Sequence, residues 1–300
     1  MNRLIKFIYT FLLVTQMGIV VTGGAVRLTG SGLGCPTWPQ CTPGSYTPVP
    51  HQAQGQLHSW IEFGNRLLTF LLIIAIIASI AGYLKWGRKR SDSKFLAWMA
   101  AIQFLGIVAQ IVVGGISVLT HLNPFVVSLH FLLSIFLISA SLSFRQRMLN
   151  VPRVSLQPAN VLFGRIILAL AFVVINLGVV VTGSGPHAGD VMAKRFHVDP
   201  RTISWLHADS VIALISLTFG FWLLIKAVEN GGAKVLAEEK IKLFLVICLA
   251  QGFIGYTQYF TGVPEFLVAA HLLGVTLVWA SIWSFAHSTK LLSREKLPVK

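Results

Sequence analysis

The sequence has few charged residues, and acidic residues are especially scarce. Charged side chains make up 11% of the 300 residues, against roughly 25% in an average soluble domain, whereas 55% of the residues are hydrophobic. Only 10 Asp and Glu accompany 24 Lys and Arg. This composition argues against an ordinary soluble domain and favours a chain that lies in lipid.

Eight apolar stretches are each long enough, at about 20 residues, to cross a hydrocarbon core of ~30 Å as a helix. They cover roughly 7–26, 57–84, 95–119, 125–144, 162–183, 203–225, 241–262 and 265–288. Little sequence remains between them, so we predict no separate soluble domain. The first stretch lacks a small-x-small cleavage pattern, and we interpret it as a retained helix rather than a signal peptide.

Basic residues are concentrated in alternate connections between these stretches. Of the 24 Lys and Arg, 19 lie in one set of segments: the amino terminus, 85–94, 145–165, 226–242 and the tail after 288. Of the intervening segments, 28–56 contains no Lys or Arg, and 184–202 contains three. The positive-inside rule therefore predicts a multi-pass membrane protein with both termini cytoplasmic and with the loops 28–56 and 184–202 facing outward. Because topology accounts for the basic residues, we predict no nucleic-acid partner.

The chain contains an internal repeat. Gly18–Gly23 (GIVVTG) recurs as Gly178–Gly183 (GVVVTG), and His130 recurs as His271. Each unit contains four crossings, so both units enter the membrane from the same side. The repeat predicts an all-α integral membrane fold of two parallel, tandem four-helix bundles related by a pseudo-two-fold axis along the membrane normal. The predicted halves are 1–150 and 151–300.

Histidines lie near the predicted outer ends of the even-numbered helices. His58, His130, His207 and His271 are placed in one layer, roughly 7–12 Å below the helix starts at the usual helical rise. A single such residue is more often a hydrogen-bonded core histidine. Paired histidines from facing helices of a bundle are a natural way to bind a haem iron axially. The pair in the second half, His207 and His271, therefore predicts a haem site.

The first half is asymmetric at the corresponding positions. An offset of 142 residues places Asn65 where a second ligand is expected opposite His130. His58, Glu62 and Asn65 are spaced to lie on one face of helix 2. Three interpretations stay open: His58 completes the site, Asn65 completes or lines it, or His130 alone binds the iron. The last leaves an open coordination position, which suits a substrate.

Glu62 is the strongest single candidate for chemistry. A carboxylate within a spanning helix costs ~2.5–3.5 kcal/mol at the bilayer centre, and somewhat less near a helix end. Its repeat counterpart is Ser204, so only one half contains this acid. The alternative is a structural ion pair with Arg66 at i+4. Both interpretations can hold together, and Arg66 could also meet a haem propionate.

Cys35 and Cys41 lie in the first predicted outer loop, on the oxidising side, where a disulfide can persist. Five residues with two prolines separate them, which favours a compact hairpin. The alternatives are free thiols or a metal site, but two cysteines without a histidine cluster do not favour structural zinc. We predict a disulfide.

Two sequence motifs resemble those of the haem A synthase family. They are the run 29–41 (TGSGLGCPTWPQC) after helix 1 and the run 61–66 (IEFGNR) on helix 2. With the tandem halves, the resemblance covers essentially the whole chain. It implies an oxidoreductase that converts a methyl group of haem O to a formyl group, giving haem A for terminal oxidase biogenesis, with haem b as cofactor.

The resemblance also implies a role for individual residues. The implied assignments are Glu62 as the catalytic glutamate, Cys35 with Cys41 as the outer-loop disulfide, His130 as a ligand in the substrate half, and His207 with His271 as ligands of haem b. Many members have a histidine at the position of Asn65, and some have a further cysteine pair in the second half. These two departures indicate an actinobacterial-type branch. The resemblance thereby implies a location in a bacterial cell membrane.

The expected partners are haem O and membrane lipid, with haem O synthase and terminal oxidase assembly factors as further expectations. Two other functions compete with the synthase. A membrane di-haem electron-transfer protein without turnover explains the histidines and predicts two permanently bound, bis-ligated haems b. A haem or small-molecule transporter is disfavoured, because parallel repeats lack the inverted symmetry of many carriers.

Overall fold

The computed structural model describes residues 3–291, which form eight long helices and two short strands. The helices are α1 (Arg3–Leu28), α2 (Gln56–Gly82), α3 (Ser93–Leu119), α4 (Pro124–Met148), α5 (Pro158–Ser184), α6 (Pro200–Val228), α7 (Gly231–Phe260) and α8 (Glu265–Ser288). A π-helical turn, Tyr83–Gly87, extends α2. The strands β1 (Val154–Leu156) and β2 (Thr289–Leu291) pair in parallel.

All eight helices are long and apolar enough to cross a membrane. Their outward faces carry large apolar side chains: Phe7, Phe70 and Phe253 are 64%, 63% and 74% exposed. Apolar surface on this scale is unfavourable in water and is suited to lipid. The all-helical, multi-pass membrane fold predicted from the sequence is confirmed.

The helix boundaries differ most from the prediction in α7, which begins at Gly231, ten residues before the predicted start at 241. The added turns carry four charged residues, and one of them, Glu238, forms an ion pair with Lys242 just beyond the extension, with Oε1 2.9 Å from Nζ. Hydropathy detects only the part of a helix that lies in hydrocarbon, so a charged extension of the same helix is missed. The three-residue strands were likewise not predicted.

Helix packing follows the two halves of the sequence. In the first half α1 packs against α2 and α4, and α3 packs against α4; in the second, α5 pairs with α6 and α7 with α8. The halves meet where α8 contacts α1 and α4. There Trp279 Nε1 donates to Ser139 Oγ at 2.7 Å, and one turn away Trp283 Nε1 donates to Ser143 Oγ at 2.9 Å. This packing is consistent with tandem bundles; the symmetry axis stays a prediction.

The two ends of the helix assembly differ in chemistry. One end carries the connections 29–55 and 185–199 and is called the disulfide end below. The other end carries the α2–α3 connection, the linker 149–157 and strand β2, and is called the basic end. The predicted orientation, with the basic end cytoplasmic, stays a prediction.

Candidate functional site

Three of the candidate histidines lie at similar depth below the disulfide end. His130, His207 and His271 are six or seven residues after the first residue of α4, α6 and α8, or about 10 Å along each axis. Helix capping fixes two of these starts: Asn123 Oδ1 accepts from Phe125 N at 3.0 Å, and Asp199 Oδ2 accepts from Thr202 N at 2.8 Å. His58 lies only two residues into α2, above this layer.

The imidazole of each of these three histidines rests against a glycine of another helix. A Cβ built on Gly114 would lie 3.2 Å from His130 Cε1, a Cβ on Gly178 would lie 3.2 Å from His207 Cε1, and a Cβ on Gly255 would lie 3.2 Å from His271 Cε1. Carbon atoms usually meet at ~3.5–4.0 Å. Glycine therefore lets the ring lie directly on the neighbouring helix backbone.

In the second half, His207 and His271 face each other with ring centroids 6.5 Å apart and ring planes at 75°. Two imidazole nitrogens bound to one metal at ~2 Å would place the centroids about 6 Å apart. His207 Nδ1 lies 3.0 Å from the Val174 carbonyl oxygen, which can only accept, so Nδ1 carries the proton. A neutral His207 therefore keeps a lone pair on Nε2, and the pair fits an axially bound haem.

The environment of His271 supports the same conclusion. Gln251 Nε2 donates to the His271 carbonyl oxygen at 2.6 Å, which braces this turn of α8 against α7. His271 Nδ1 is buried and finds no hydrogen-bond partner among residues 3–291. A buried polar atom without a partner is unfavourable and is a common feature of sites that receive a ligand.

The first half keeps one side of this arrangement. Gln110 Nε2 contacts the His130 carbonyl oxygen at 3.3 Å, as Gln251 does with His271, and His130 Nδ1 is buried without a partner in the described chain. Asn65 occupies the repeat position of His207, and its Oδ1 is also buried and unpartnered within that part of the chain. This half therefore has one imidazole where the other has two.

Gly18 is the repeat counterpart of Gly178, and it borders open space. A Cβ on Gly18 would have no heavy atom of residues 3–291 within 4 Å, leaving aside its own helix backbone and chain neighbours. In the second half His207 lies against Gly178, whereas the first half has Asn65 at the repeat position of His207. The first half therefore has room beside α1 that the second half lacks.

Glu62 and Arg66 form the ion pair considered above. Glu62 is 5% exposed, and its Oε1 lies 2.6 Å from Arg66 Nη2. Its other oxygen, Oε2, accepts from the backbone N–H of Cys35 at 2.6 Å. Arg66 also donates to three loop carbonyl oxygens, those of Cys35, Thr37 and Gln40, at 2.8 to 3.2 Å. The carboxylate is thus fixed between α2 and the loop, and its catalytic role stays a prediction.

Cys35 and Cys41 form the predicted disulfide, with Cα atoms 4.3 Å apart. The loop that it closes covers the disulfide end of the first bundle. Trp38 packs against Gly115 of α3 so closely that a Cβ on Gly115 would lie 2.5 Å from Trp38 Cδ2. Gln52 Nε2 donates to the Gly34 carbonyl oxygen at 2.6 Å and holds the loop from the other side. The disulfide, the indole and the Glu62–Arg66 pair therefore form one cap.

His58 belongs to this cap. Its Nδ1 lies 2.9 Å from the hydroxyl oxygen of Ser31, which is fully buried in the loop. His58 is seven residues, or about 10 Å along the helix axis, from Asn65. By the repeat, Asn65 is the residue of α2 that we expect to face His130, and His58 as an iron ligand stays an untested alternative.

The cap of the first half is bonded to the second half. Gly32 N donates to the Gly189 carbonyl oxygen at 2.8 Å. Arg27, at the end of α1, donates from Nη2 to the Thr182 carbonyl oxygen at 2.7 Å and from Nε to that of His187 at 2.5 Å. These bonds join the disulfide ends of the two bundles, so the cap is held from both halves.

A family model covers nearly all of this architecture. The COX15-CtaA family, described as cytochrome oxidase assembly protein, matches residues 6–283. That range includes every candidate residue named above. The chain belongs to this family.

The relatives to which this chain is similar share one name, "Heme A synthase". "Heme A synthase" of Geobacillus kaustophilus is 33% identical over 112 residues, or 37% of this chain and 32% of the relative. "Heme A synthase" of Macrococcus caseolyticus is 24% identical over 97% of this chain and 98% of the relative. That of Listeria monocytogenes is 26% identical over 93% of each. The stronger match thus spans about a third of its relative, and the weaker ones nearly the full length. The predicted actinobacterial-type branch is not confirmed by these relatives.

Sequence reasoning missed the glycines that support the imidazoles. Gly18 and Gly178 lie at the starts of the repeated GIVVTG and GVVVTG runs, and Gly114 and Gly255 are separated by the same 141 residues as His130 and His271, but the sequence analysis assigned these glycines no role. The signal was present, because a residue type that recurs at the offset of a ligand is expected to share its function. What the sequence could not show is which helix each glycine faces.

Proposed function

We propose that this chain is a haem A synthase that oxidises a methyl group of haem O to a formyl group, giving haem A for terminal oxidase biogenesis. Family membership and relatives named for this activity support the proposal. One structural observation carries it. The second half has two facing imidazoles, whereas the first has one imidazole, an asparagine and open space, as a substrate site beside a permanent cofactor site requires.

In this proposal His207 and His271 hold haem b. When bound, this haem supplies one-electron transfer that draws electrons from the substrate site. The Val174 carbonyl oxygen fixes the ring of His207, and Gln251 fixes the turn that carries His271. Such outer contacts orient ligands and tune the metal site.

The first half would bind haem O through His130. Asn65 and the space beside Gly18 would leave the opposite side of the substrate accessible. The methyl group would be hydroxylated, in our proposal twice, and the resulting diol would lose water to leave the formyl group. With water as the source of oxygen, this oxidation releases four protons and four electrons, and the electrons would leave through haem b to an external acceptor. A substrate with a long apolar tail can enter laterally from lipid, which agrees with a site built between spanning helices.

Glu62 would act in the first half as a proton acceptor or as an electrostatic stabiliser of an oxidised intermediate. Its two oxygens are held by Cys35 N–H and by Arg66, so the cap fixes the position of the carboxylate. Arg66 would also be placed to meet a substrate propionate. The disulfide loop then serves to orient the acid and to exclude water.

We further propose that both termini are cytoplasmic, so the cap faces the outer, oxidising side. The charge distribution supports this orientation. Haem O synthase and terminal oxidase assembly factors are the partners we propose, because the substrate and the product are both confined to the membrane. The actinobacterial-type branch rests only on Asn65 and on the lack of a second cysteine pair.

The test is the pigment content of the purified protein and of membranes from cells that make haem O. The wild type is expected to contain haem b together with haem O or haem A, and to accumulate haem A in the membranes. Glu62→Gln is expected to keep haem b and to accumulate haem O. Ser204→Ala, at the repeat counterpart of Glu62, is the matched control and is expected to convert haem O normally.

The competing di-haem carrier predicts a different result. It requires two stably bound haems b in the wild type and no change in haem O content between the variants. Full conversion of haem O by Glu62→Gln would show that the catalytic assignment of this residue is wrong. A protein that contains no porphyrin under any growth condition would overturn the whole proposal.

A further inference from the structure

A small polar cavity lies at the basic end, at the opposite end of the helices from His130, His207 and His271. Its volume is about 230 Å³, and its lining residues are Arg90, Asp92, Gln146, Arg147, Asn150, Val151 and Arg153. Pockets for drug-sized ligands measure ~300–1,000 Å³, so this one suits a smaller group. Three arginines against one aspartate leave its lining positively charged.

The single acid does not neutralise these arginines. Asp92 Oδ1 lies 2.9 Å from Arg90 Nε, and this bond lowers the pKa of the carboxyl group below its ordinary value. The distance from Asp92 Oδ2 to Arg147 Nη1 is 3.9 Å, the outer limit of an ion pair. Arg153 makes no ion pair within residues 3–291. Two guanidinium groups thus have weak or no anionic partners.

The hydrogen-bonding groups of the cavity are also incomplete. Arg147 Nε is buried and has no acceptor among the described residues. A buried guanidinium N–H without an acceptor is unfavourable, and the group it lacks is an oxygen atom. Arg90 Nη2 donates to the Arg147 carbonyl oxygen at 2.9 Å, which holds the two arginines side by side. Both arginines line the cavity, and Arg147 Nε is the buried donor there that lacks an acceptor.

The position of the cavity indicates which kind of anion would bind there. Arg147 is in the last turn of α4, and Asp92 directly precedes α3, so the cavity lies where these spanning helices leave the hydrocarbon. Phospholipid phosphates occupy this level, and basic pockets between spanning helices bind anionic headgroups. Arginine forks match phosphate oxygens in geometry as well as in charge.

We propose that this cavity binds the phosphate group of an anionic phospholipid and so anchors the α2–α3 connection and the linker between the halves to the lipid headgroups. Strand β1 follows Arg153 directly and pairs with β2 after α8. A bound headgroup would therefore stabilise the region where the two halves and the C-terminal segment meet. The proposal does not depend on the enzymatic activity.

The test measures lipid retention by native mass spectrometry of the full-length protein taken from nanodiscs of equal parts phosphatidylglycerol and phosphatidylcholine. The wild type is expected to retain phosphatidylglycerol preferentially. Arg147→Gln with Arg153→Gln is expected to reduce that retention about tenfold, since each basic residue contributes measurably to headgroup binding. The matched control is Arg88→Gln with Lys89→Gln, which removes two exposed charges at the same end outside the cavity.

Two further variants guard against a folding defect. Arg153→Gln alone breaks no ion pair and is expected to show a smaller loss. Asp92→Asn removes the competing acid and is expected to increase retention of phosphatidylglycerol.

A separate titration with inorganic phosphate distinguishes a lipid headgroup from a free phosphate ion as the occupant of the cavity. Phosphate that binds and is lost in the double variant, without enrichment of phosphatidylglycerol, would assign the cavity to a soluble anion and overturn the lipid assignment.

If the wild type neither retains phosphatidylglycerol preferentially nor binds inorganic phosphate, the cavity is not an anion site. An equal loss in the control with Arg88 and Lys89 would also overturn the site, because the effect would then come from general surface charge. An unchanged thermal midpoint and an unchanged helical circular dichroism spectrum in each variant would show that the fold is retained.

Discussion

The two halves of this protein have equivalent helices and glycines but different side chains at the histidine layer. In the second half His207 and His271 each lie on a glycine and face one another. In the first half only His130 lies on a glycine, and the fourth position combines Asn65 with open space beside Gly18. The first half alone has an acid tied to a disulfide loop. The comparison teaches that the two halves of one duplicated scaffold can differ in a few side chains at equivalent positions; in the proposed function this difference separates a permanent cofactor site from a substrate site.

Removing a ligand of the second half is expected to have the largest effect. His207→Ala or His271→Ala should abolish stable binding of haem b, because one imidazole cannot supply both axial ligands. His130→Ala should keep the haem b spectrum while losing conversion of haem O. Absorption spectra and chromatography of extracted pigments measure both. Equal loss of haem b in all three variants would contradict the division of roles between the halves.

The second prediction converts the first half into a copy of the second. Asn65→His places an imidazole opposite His130, and the space beside Gly18 can receive it as Gly178 receives His207. We expect a second tightly bound, bis-ligated haem and at least a tenfold fall in haem A production, since the open position is closed.

The control for this conversion is Asn65→Gln, which adds volume without a strong iron ligand. It should not produce the second bis-ligated spectrum. If Asn65→His instead converts haem O normally, Asn65 does not face the substrate.

The glycines allow a finer test of the same comparison. Gly255→Ala or Gly178→Ala introduces a Cβ 3.2 Å from an imidazole carbon and should displace the ring, at the ~1–3 kcal/mol typical of overpacking. Haem b occupancy is expected to fall about tenfold in these variants, measured by the ratio of haem to protein.

Gly18→Ala is the matched control, since its Cβ meets open space. It should leave haem b occupancy unchanged. A loss of haem b equal to that in Gly178→Ala would show that the contact with the ring is not the cause.

Much of this arrangement could be predicted from sequence, for identifiable reasons. Hydropathy located all eight helices, and the helical rise from the predicted helix starts placed His207 and His271 at similar depth, because both signals are local in the sequence. The contacts of Glu62 with Cys35, 27 residues away, were not predictable, since they depend on how the loop folds back over α2. The cavity around Arg147 was missed for the same reason. Its lining comes from two separate segments, 90–92 and 146–153, and their basic residues entered the sequence analysis only as evidence of topology.

The smallest effect is expected from breaking the disulfide. This bond closes the cap over the first half, and the second half has no such disulfide-closed loop among the described residues. Cys35→Ser with Cys41→Ser should cost about 2 kcal/mol of stability, the usual scale for a short loop. The loop would keep its bonds from Cys35 N–H to Glu62 and from Arg66 to three carbonyl oxygens. Haem A production is therefore expected to fall only a few-fold, while haem b content stays constant.

Arg66→Gln separates the two contributions to the cap. It leaves the disulfide in place but removes the ion pair and the bonds to the loop carbonyls, so we expect it to lower haem A production more than the double serine variant does. Thermal midpoints and pigment ratios of the two variants measure the difference. If the serine variant is the more damaged, the covalent link rather than the Glu62–Arg66 pair positions the acid, and the two halves then differ chiefly by their loops.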